Sequence, residues 1–468
     1  MNRARLPLSA LARISAAIAV VAFALSACGP NSTGAAAAAG PQRGTPSAFP
    51  RAVQDVARWL GGAAIATPAG LTWPADPRDP KSTGVSLYAG ACGVVLFYLE
   101  AEGQARAAGE TALAARLMAR ARGGADDLLA HVSGTGIGTG FYEGVAGIAF
   151  VLQETYKVTR DDRYRRGFVA GLEALARRAH AVGRGVEWSS TTDIISGTAG
   201  TGLVLLYGYR ETGDRRWLDL AASAGARLVE LGKPKNGGLD WAMDPSFPRT
   251  MPNFSHGTAG VAFFLARLYE ESRRQEFLDA ALAGGRYLVS IARIAEDLCV
   301  IYHDEPDGKD LYYLGWCHGP VGTANLFYKL YVLTRDRSWM RLVEKQAHGL
   351  MDSGLPEKQT PGFWNNDGIC CGLAGVADFF LNLHRLTGNT HYLVFGRRAM
   401  TVLERKATRD AAGTRWLQAE NRTRPDVLVA QTGLMQGAAG IGLVMLRWSA
   451  RDATSSVPLR VRLPDSAF

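Results

Sequence analysis

The chain has 468 residues, of which 47% are hydrophobic and 20% charged, with a formal charge of +9 and six cysteines. The apolar content is ample for a buried core, and the charge is spread with mixed signs, without a basic run interleaved with aromatics, which argues against a nucleic-acid ligand. A mildly positive surface still suits anionic membranes or acidic ligands.

The N-terminus reads MNRARLPLSALARISAAIAVVAFALSAC, with Arg3, Arg5 and Arg13 ahead of an apolar stretch. That is the pattern of an export signal and not of a fold element. Its end, Leu25-Ser26-Ala27-Cys28, resembles a bacterial lipoprotein box, so residues 1–28 are expected to be a lipoprotein-type signal peptide with Cys28 lipidated. The expected location is the cell envelope, anchored to a membrane through Cys28. Loss of the three leader arginines takes the charge from +9 to +6. Residues 29–50 are rich in Gly, Ala, Ser and Pro without periodicity and read as a flexible tether.

From residue 51 onward one periodicity dominates, which predicts a single large domain over 51–468. Gly-x-x-Gly opens an apolar stretch seven times, at Gly90/Gly93, Gly144/Gly147, Gly197/Gly200, Gly257/Gly260, Gly319/Gly322, Gly372/Gly375 and Gly437/Gly440. Intervals between first glycines are 54, 53, 60, 62, 53 and 65 residues, enough for two helices and a loop. An aromatic residue follows the second glycine by 17 positions in five consecutive units: Tyr164, Trp217, Phe277, Trp339 and Tyr392. Each comes after a polar turn such as RDDR or TGDRR and opens an amphipathic run. Each unit therefore predicts an inner helix, a tight turn and an outer helix, with variable loops leading into the next glycine pair. The last unit, GIGLVMLRW, is still apolar, whereas an open solenoid wants polar caps at its ends. The expected fold is all-α, an (α/α)7 toroid whose loops gather at one end, where the free N–H groups of the inner helices point.

The two residues before each first glycine then form a ring of rim positions, among them Tyr142-Glu143, Ser255-His256, Cys317-His318, Cys370-Cys371 and Met435-Gln436. Units five and six are neighbours, so Cys317, Cys370 and Cys371 can converge. Three thiolates with an open fourth position suit a catalytic zinc ion, and a zinc-bound thiol is deprotonated near neutral pH. An odd number of remaining cysteines and the strain of a vicinal disulfide favour metal ligation over disulfides for the Cys370-Cys371 pair. Glu143 and Gln436 are expected to line the pocket, and Cys92 and Cys299 to be buried apolar thiols.

GWCHG at 315–319, ICCG at 369–372, SHGTAG at 255–260 and the sevenfold glycine pattern resemble the lanthionine synthetase C-like (LanC-like) family over about residues 50–450. The resemblance implies an (α/α)7 toroid with one Zn2+, and an activity that adds a cysteine thiol to dehydroalanine or dehydrobutyrine to form a thioether. Carried over by position, Cys317, Cys370 and Cys371 are the metal ligands, His256 is the catalytic acid/base, and Asp193 is the acidic residue that orients it. His318, next to a ligand in sequence, is expected to point elsewhere and support the site without ligating. The implied partner is a peptide or protein carrying dehydrated Ser/Thr and a thiol, made with a separate dehydratase, since this chain contains no dehydratase or nucleotide-binding segment. Tyr313 stands four positions before the first zinc cysteine, where family cyclases often carry a basic residue, and the export signal is a second departure. Two other functions compete: a zinc-bearing envelope protein that binds peptides without turnover, and a carbohydrate-active (α/α) barrel, which would need paired carboxylates across its pocket.

Overall fold

A repeated glycine pair before an apolar run marks a place where a turn must press closely on a helix start. The computed structural model describes residues 49–468 apart from 248 and 453–458. The leader 1–28, Cys28 and the tether up to residue 48 lie outside the described residues. In chain order the helices are α1 (Arg51–Gly62), α2 (Ala91–Ala107), α3 (Thr111–His131), α4 (Val145–Thr159), α5 (Asp162–Arg177), α6 (Thr198–Thr212) and α7 (Arg215–Leu231). They continue as α8 (Thr258–Ser272), α9 (Gln275–Ile291), α10 (Pro320–Thr334), α11 (Arg337–Asp352), α12 (Leu373–Thr387), α13 (Thr390–Lys406) and α14 (Ala438–Asp452).

The even-numbered helices follow the first glycine of each pair directly and are the inner ring. Neighbours pack in the order α2, α4, α6, α8, α10, α12, α14 and back to α2, which closes the toroid. Each of α2 to α12 pairs with the odd helix that follows it. The seventh hairpin differs: α14 packs against α1, so its outer helix comes from the start of the domain and not from after the last glycine unit. The ring is thus sealed by two segments far apart in sequence.

Local chemistry explains both ends of a hairpin. Polar turns cap the outer helices: the side chains of Asp161, Asp214, Asp336 and Asn389 each accept a hydrogen bond from the backbone N–H two residues on. The inner helices have glycine N-caps with no side-chain acceptor. The preceding loop supplies the acceptors instead. Thr198, Ala259, Ala374 and Ala438 donate to the carbonyls of Thr191, Pro252, Asp367 and Gln431, each seven residues back, at 2.9–3.2 Å. The expected free N–H groups at these helix starts are therefore largely consumed by the loops. This crossing accounts for the second glycine. A Cβ at Gly322 would lie 1.8 Å from the Trp316 carbonyl oxygen, and one at Gly375 would lie 2.1 Å from that of Ile369.

Short antiparallel hairpins occupy the variable loops: β1 (Ile65–Ala66) with β2 (Leu71–Thr72), β3 (His180–Val182) with β4 (Gly185–Glu187), and β5 (Lys233–Lys235) with β6 (Gly238–Asp240). The rest are β7 (Arg293–Ala295) with β8 (Leu298–Val300), β9 (Thr408–Asp410) with β10 (Gly413–Arg415), and β11 (Gln418–Ala419) with β12 (Leu428–Val429). A tryptophan pins four of these loops to the end of the outer helix before them. The Nε1 atoms of Trp73, Trp188, Trp241 and Trp416 donate to the carbonyls of Leu60, Leu175, Leu228 and Leu403 at 2.7–2.8 Å, a constant separation of 13 residues. That α1 shares this signature marks it as an outer helix.

The chain end, residues 459–468, fills the inside of the ring. Arg460 and Val461 donate backbone N–H bonds to Glu100 on α2, Ala467 donates to Asn325 on α10, and Phe468 stacks on Tyr328 with ring centroids 4.8 Å apart. Asp465 is wholly buried and accepts a 2.9 Å bond from the Tyr142 hydroxyl. Burial pushes its carboxyl up to about 6. Among the described residues, no helix is long and apolar enough to cross a membrane.

Candidate functional site

Backbone hydrogen bonds join the seven rim turns into a circuit. Tyr88 donates to the Tyr142 carbonyl (3.0 Å), Tyr142 to Ile195 (2.9 Å), Ile194 to Ser255 (3.3 Å), Ser255 to Cys317 (2.9 Å), Cys317 to Cys370 (3.1 Å), Cys370 to Met435 (2.9 Å) and Met435 to Tyr88 (2.9 Å). Every rim side chain is thus attached to a frame closed on itself. Such a frame fixes relative positions far better than a free loop would.

Cys317 ends the turn before α10, and Cys370 and Cys371 end the turn before α12. Their sulfurs meet: Cys371 Sγ is 3.1 Å from Cys317 Sγ and 3.5 Å from Cys370 Sγ, and all three lie within 4.8 Å of one another. All three side chains are buried, and none is in a disulfide. Hydrogen bonds from Cys317 and Cys371 hold the Cys370 thiol well below its ordinary value, whereas burial pushes Cys317 well above its own. Left to themselves, the three share protons; three thiolates in one buried spot require a cation. A tetrahedral zinc ion with bonds of about 2.3 Å places its sulfurs about 3.8 Å apart. Two sulfur pairs, at 3.1 and 3.5 Å, are somewhat closer than that and none of the three pairs exceeds 4.8 Å, so the donor set fits zinc in number and softness, with a spacing that a small outward shift of the sulfurs would match. Gln436 Nε2 donates to Tyr88 Oη at 3.1 Å and lies 3.9 Å from Cys371 Sγ, which ties the sulfurs to the neighbouring rim position.

His256, on the turn before α8, shares this cavity with the three cysteines. Its Nδ1 is 2.6 Å from Asp193 Oδ2, although the two residues are 63 apart in sequence. Asp193 is wholly buried, and its Oδ1 accepts backbone N–H bonds from Ser196 and Gly197 at 2.9 Å each. It ties down the turn that leads into α6 and holds the imidazole with the same carboxylate. Burial works against the charged imidazole, but the Asp193 bond and charge outweigh it, and His256 titrates above its ordinary value. With Nδ1 held, Nε2 is the nitrogen available for chemistry.

The cavity, about 500 Å³, also takes in His303, His318, Tyr313 and Trp364. These form a row of rings: His256 to His318 at 5.5 Å between centroids, His318 to His303 at 4.4 Å, His303 to Tyr313 at 4.4 Å and Tyr313 to Trp364 at 5.2 Å. His318 is itself in the cavity wall, with its Nδ1 buried and unpartnered, and burial drives its pKa well down. Glu143, in contrast, is exposed and outside the cavity lining. Cys92 and Cys299 are buried and in no disulfide; burial raises both, Cys299 to about 12. His303, Trp364 and the segment 420–429 reach the cavity from variable loops, where no repeat signal marked them.

The family described as lanthionine synthetase C-like protein has a model that matches residues 81–459. Among solved structures the chain is similar to nisin cyclase, at 15% identity over 78% of this chain and 89% of that one, with a TM-score of 0.55. It is also similar to the α-1,6-mannanase GH76A of Salegentibacter sp. HEL1_6, at 14% identity over 85% of this chain and 98% of that one, with a TM-score of 0.48. A sugar epimerase from a ruminal bacterium matches at 13% identity over 69% and 87% of the two chains, with a TM-score of 0.46. At 15% identity the likeness to nisin cyclase is one of fold.

Proposed function

The chain belongs to the lanthionine synthetase C-like family, and on that premise we propose that it catalyses addition of a thiol to a dehydroalanine or dehydrobutyrine residue of a peptide, forming a thioether. The observation that carries the proposal is the convergence of three buried thiols on one wall of a cavity that also holds the Asp193–His256 pair. Cys317, Cys370 and Cys371 would hold Zn2+, which when bound supplies a Lewis acid that keeps a substrate thiol ionised near neutral pH.

His256 handles the proton. In the addition an S–C bond forms at the β-carbon, the C=C π pair moves towards the α-carbon and its carbonyl, and the α-carbon takes up one proton. Nε2 of His256 can accept the proton released by the thiol and deliver it to the α-carbon, so the sum is thiol plus alkene to thioether. Asp193 fixes the tautomer by holding Nδ1, and stabilises the imidazolium between the two transfers. The wall of His303, Tyr313 and Trp364 offers flat surfaces for a peptide.

The carbohydrate reading finds no support at this site. Asp193 commits Oδ2 to His256 and Oδ1 to two backbone donors, Glu143 lies outside the cavity wall, and Glu420 is a single carboxylate in the lining, so among the described residues a pair of free carboxylates facing a sugar is not formed. The test is a pair of variants assayed on a dehydroalanine peptide with an internal thiol. Cys370→Ala should lose both zinc and addition. His256→Ala should keep zinc and lose about 100- to 10,000-fold in rate. A His256→Ala rate equal to the parent's would remove the imidazole from the chemistry, and a parent that holds zinc without turnover would leave a binding protein. We further propose that the chain is exported and anchored through Cys28, a reading supported by the leader sequence alone.

A further inference from the structure

The cavity is closed on one side by the hairpin β11–β12, whose connecting loop spans residues 420–427. This loop is tied by its own bonds: Asn421 Oδ1 accepts from the Thr423 backbone N–H and hydroxyl at 3.0 and 2.9 Å, and Arg424 and Val427 close successive turns at 3.0 and 3.1 Å. It presents Arg422 and Arg424 to the cavity. Arg422 is anchored by one atom, its Nε donating to the Tyr313 hydroxyl at 3.2 Å. That leaves both terminal nitrogens of its guanidinium for another partner. Among the described residues neither Arg422 nor Arg424 is ion-paired. The loop carries two acids: Glu420 lines the cavity and accepts from Gln431 Nε2 through Oε2 at 2.8 Å, whereas Asp426 is exposed and outside the cavity lining. Beside the arginines, Val427 lines the cavity and is 46% exposed, and Leu428 is 37% exposed.

We propose that Arg422 and Arg424 are an anion subsite at the mouth of the thiol cavity, and that they select peptides with a carboxylate side chain close to the reacting residue. The proposal rests on the thiol-addition reading and names its substrate class: an acidic peptide. A guanidinium held at Nε and free at both Nη atoms presents the planar fork that a carboxylate matches in two hydrogen bonds. Arg422 holds such a fork, and Arg424, exposed on the same loop and likewise without an ion pair among the described residues, adds a second positive charge at the mouth. Glu420 in the same mouth repels a dianion such as a phosphoryl group about twice as strongly as a single carboxylate at the same distance, which favours the monoanion. The exposed Val427 and Leu428 give an apolar shelf beside the charge, suited to a peptide side chain neighbouring the carboxylate. Arg422 and Arg424 act as specificity residues here, and their hydrogen bonds are made to substrate atoms remote from the reacting double bond.

The test uses the full chain supplied with zinc and two thiol-containing dehydroalanine peptides that differ only by Glu or Gln beside the dehydroalanine. For the parent, kcat/KM should favour the Glu peptide by roughly tenfold or more, the size of a charge-assisted hydrogen bond, and mostly through KM. In Arg422→Gln and Arg424→Gln the ratio of the two peptides should collapse towards one, a comparison made within each variant and so insensitive to partial unfolding. A parent that treats the two peptides alike would overturn the proposal while leaving thiol addition intact. Calorimetric binding of the same two peptides with Ala in place of dehydroalanine separates the two readings. If no peptide reacts but the parent still binds the Glu analogue at least tenfold better and Arg422→Gln does not, the subsite stands and the thiol-addition reading fails. Equal binding of the two analogues by the parent overturns the subsite whatever the turnover.

Discussion

Replacing Asp193 by Asn tests the centre of the site. The carboxylate makes two kinds of bond: Oδ1 accepts two backbone N–H groups at 2.9 Å, and Oδ2 holds His256 Nδ1 at 2.6 Å. Asn keeps one carbonyl oxygen for the two backbone donors of the turn before α6, so that turn should stay in place. What is lost is the charge beside the imidazole. A hydrogen bond to a charged partner contributes about 1.5–3 kcal/mol, and it is lost for the charged imidazole more than for the neutral one, so the His256 pKa should fall. The sign follows from the raised pKa in the parent. An imidazole raised in the folded state contributes stability that is fully present below its unfolded value, about 6.5, and is lost as pH rises through the folded value. Asp193→Asn should therefore lose stability chiefly at pH 5–6 and little at pH 9. NMR titration of the His256 ring, with parent and variant in the same zinc-loaded state, measures the shift. Thiol addition measured against pH gives a second readout, in which the acidic limb of the rate profile should move to lower pH while the maximum rate falls. An unchanged His256 titration in Asp193→Asn would refute the claim that this carboxylate sets the imidazole's charge.

Four further outcomes follow from the same geometry. Cys371→Ala should bind zinc much more weakly than the parent's expected one ion per chain, as measured by metal analysis after dialysis, because only two of the three sulfurs remain. Gly322→Ala should destabilise the fold by roughly 1–3 kcal/mol and release zinc more readily, since the new Cβ would meet the Trp316 carbonyl oxygen at 1.8 Å and displace the turn that carries Cys317. Asp465→Asn should raise the melting temperature at pH 8 and leave it unchanged at pH 4. With its folded pKa near 6 and an unfolded value near 3.9, the buried acid favours folding only while protonated, and the relief at pH 8 has a ceiling of about 3 kcal/mol. Cys28→Ser should abolish metabolic lipid labelling of the exported chain, and labelling that persists would rule out the anchor.

The ring was legible because closure imposes the same local problem seven times. A loop must cross a helix start, and only glycine leaves room for its carbonyl, so Gly-x-x-Gly recurs wherever the chain enters the inner ring. The outer helices announce themselves through Asp161, Asp214, Asp336 and Asn389, whose side chains cap them, and through the buried aromatic that follows. The seventh outer helix escaped this logic because α1 has no glycine pair before it. Its signature was the tryptophan 13 residues after a leucine, visible at Trp73 as at Trp188, Trp241 and Trp416. The 459–468 segment gave no such sign, since an extended chain lodged inside a ring has no period of its own.

The site divides along the same line. Cys317, Cys370, Cys371 and His256 lie at fixed offsets from the repeat glycines, and the backbone circuit around the rim turns equal offsets into neighbouring positions. Asp193 sits four residues before Gly197, near enough to the frame to be placed with it, and it joins the site through His256 of the adjacent unit. His303, Trp364 and Arg422 come from the intervals whose length varies between units, so their positions follow from how each loop folds and not from any repeat. A toroid of this kind keeps its reactive groups on the rim turns and leaves recognition to the loops. Tyr313 joins the two, four residues before Cys317 and hydrogen-bonded to Arg422. A tyrosine where a family cyclase often has a basic residue thus does not remove positive charge from the cavity, because the loop after α13 brings a guanidinium to the same place from 109 residues further along the chain.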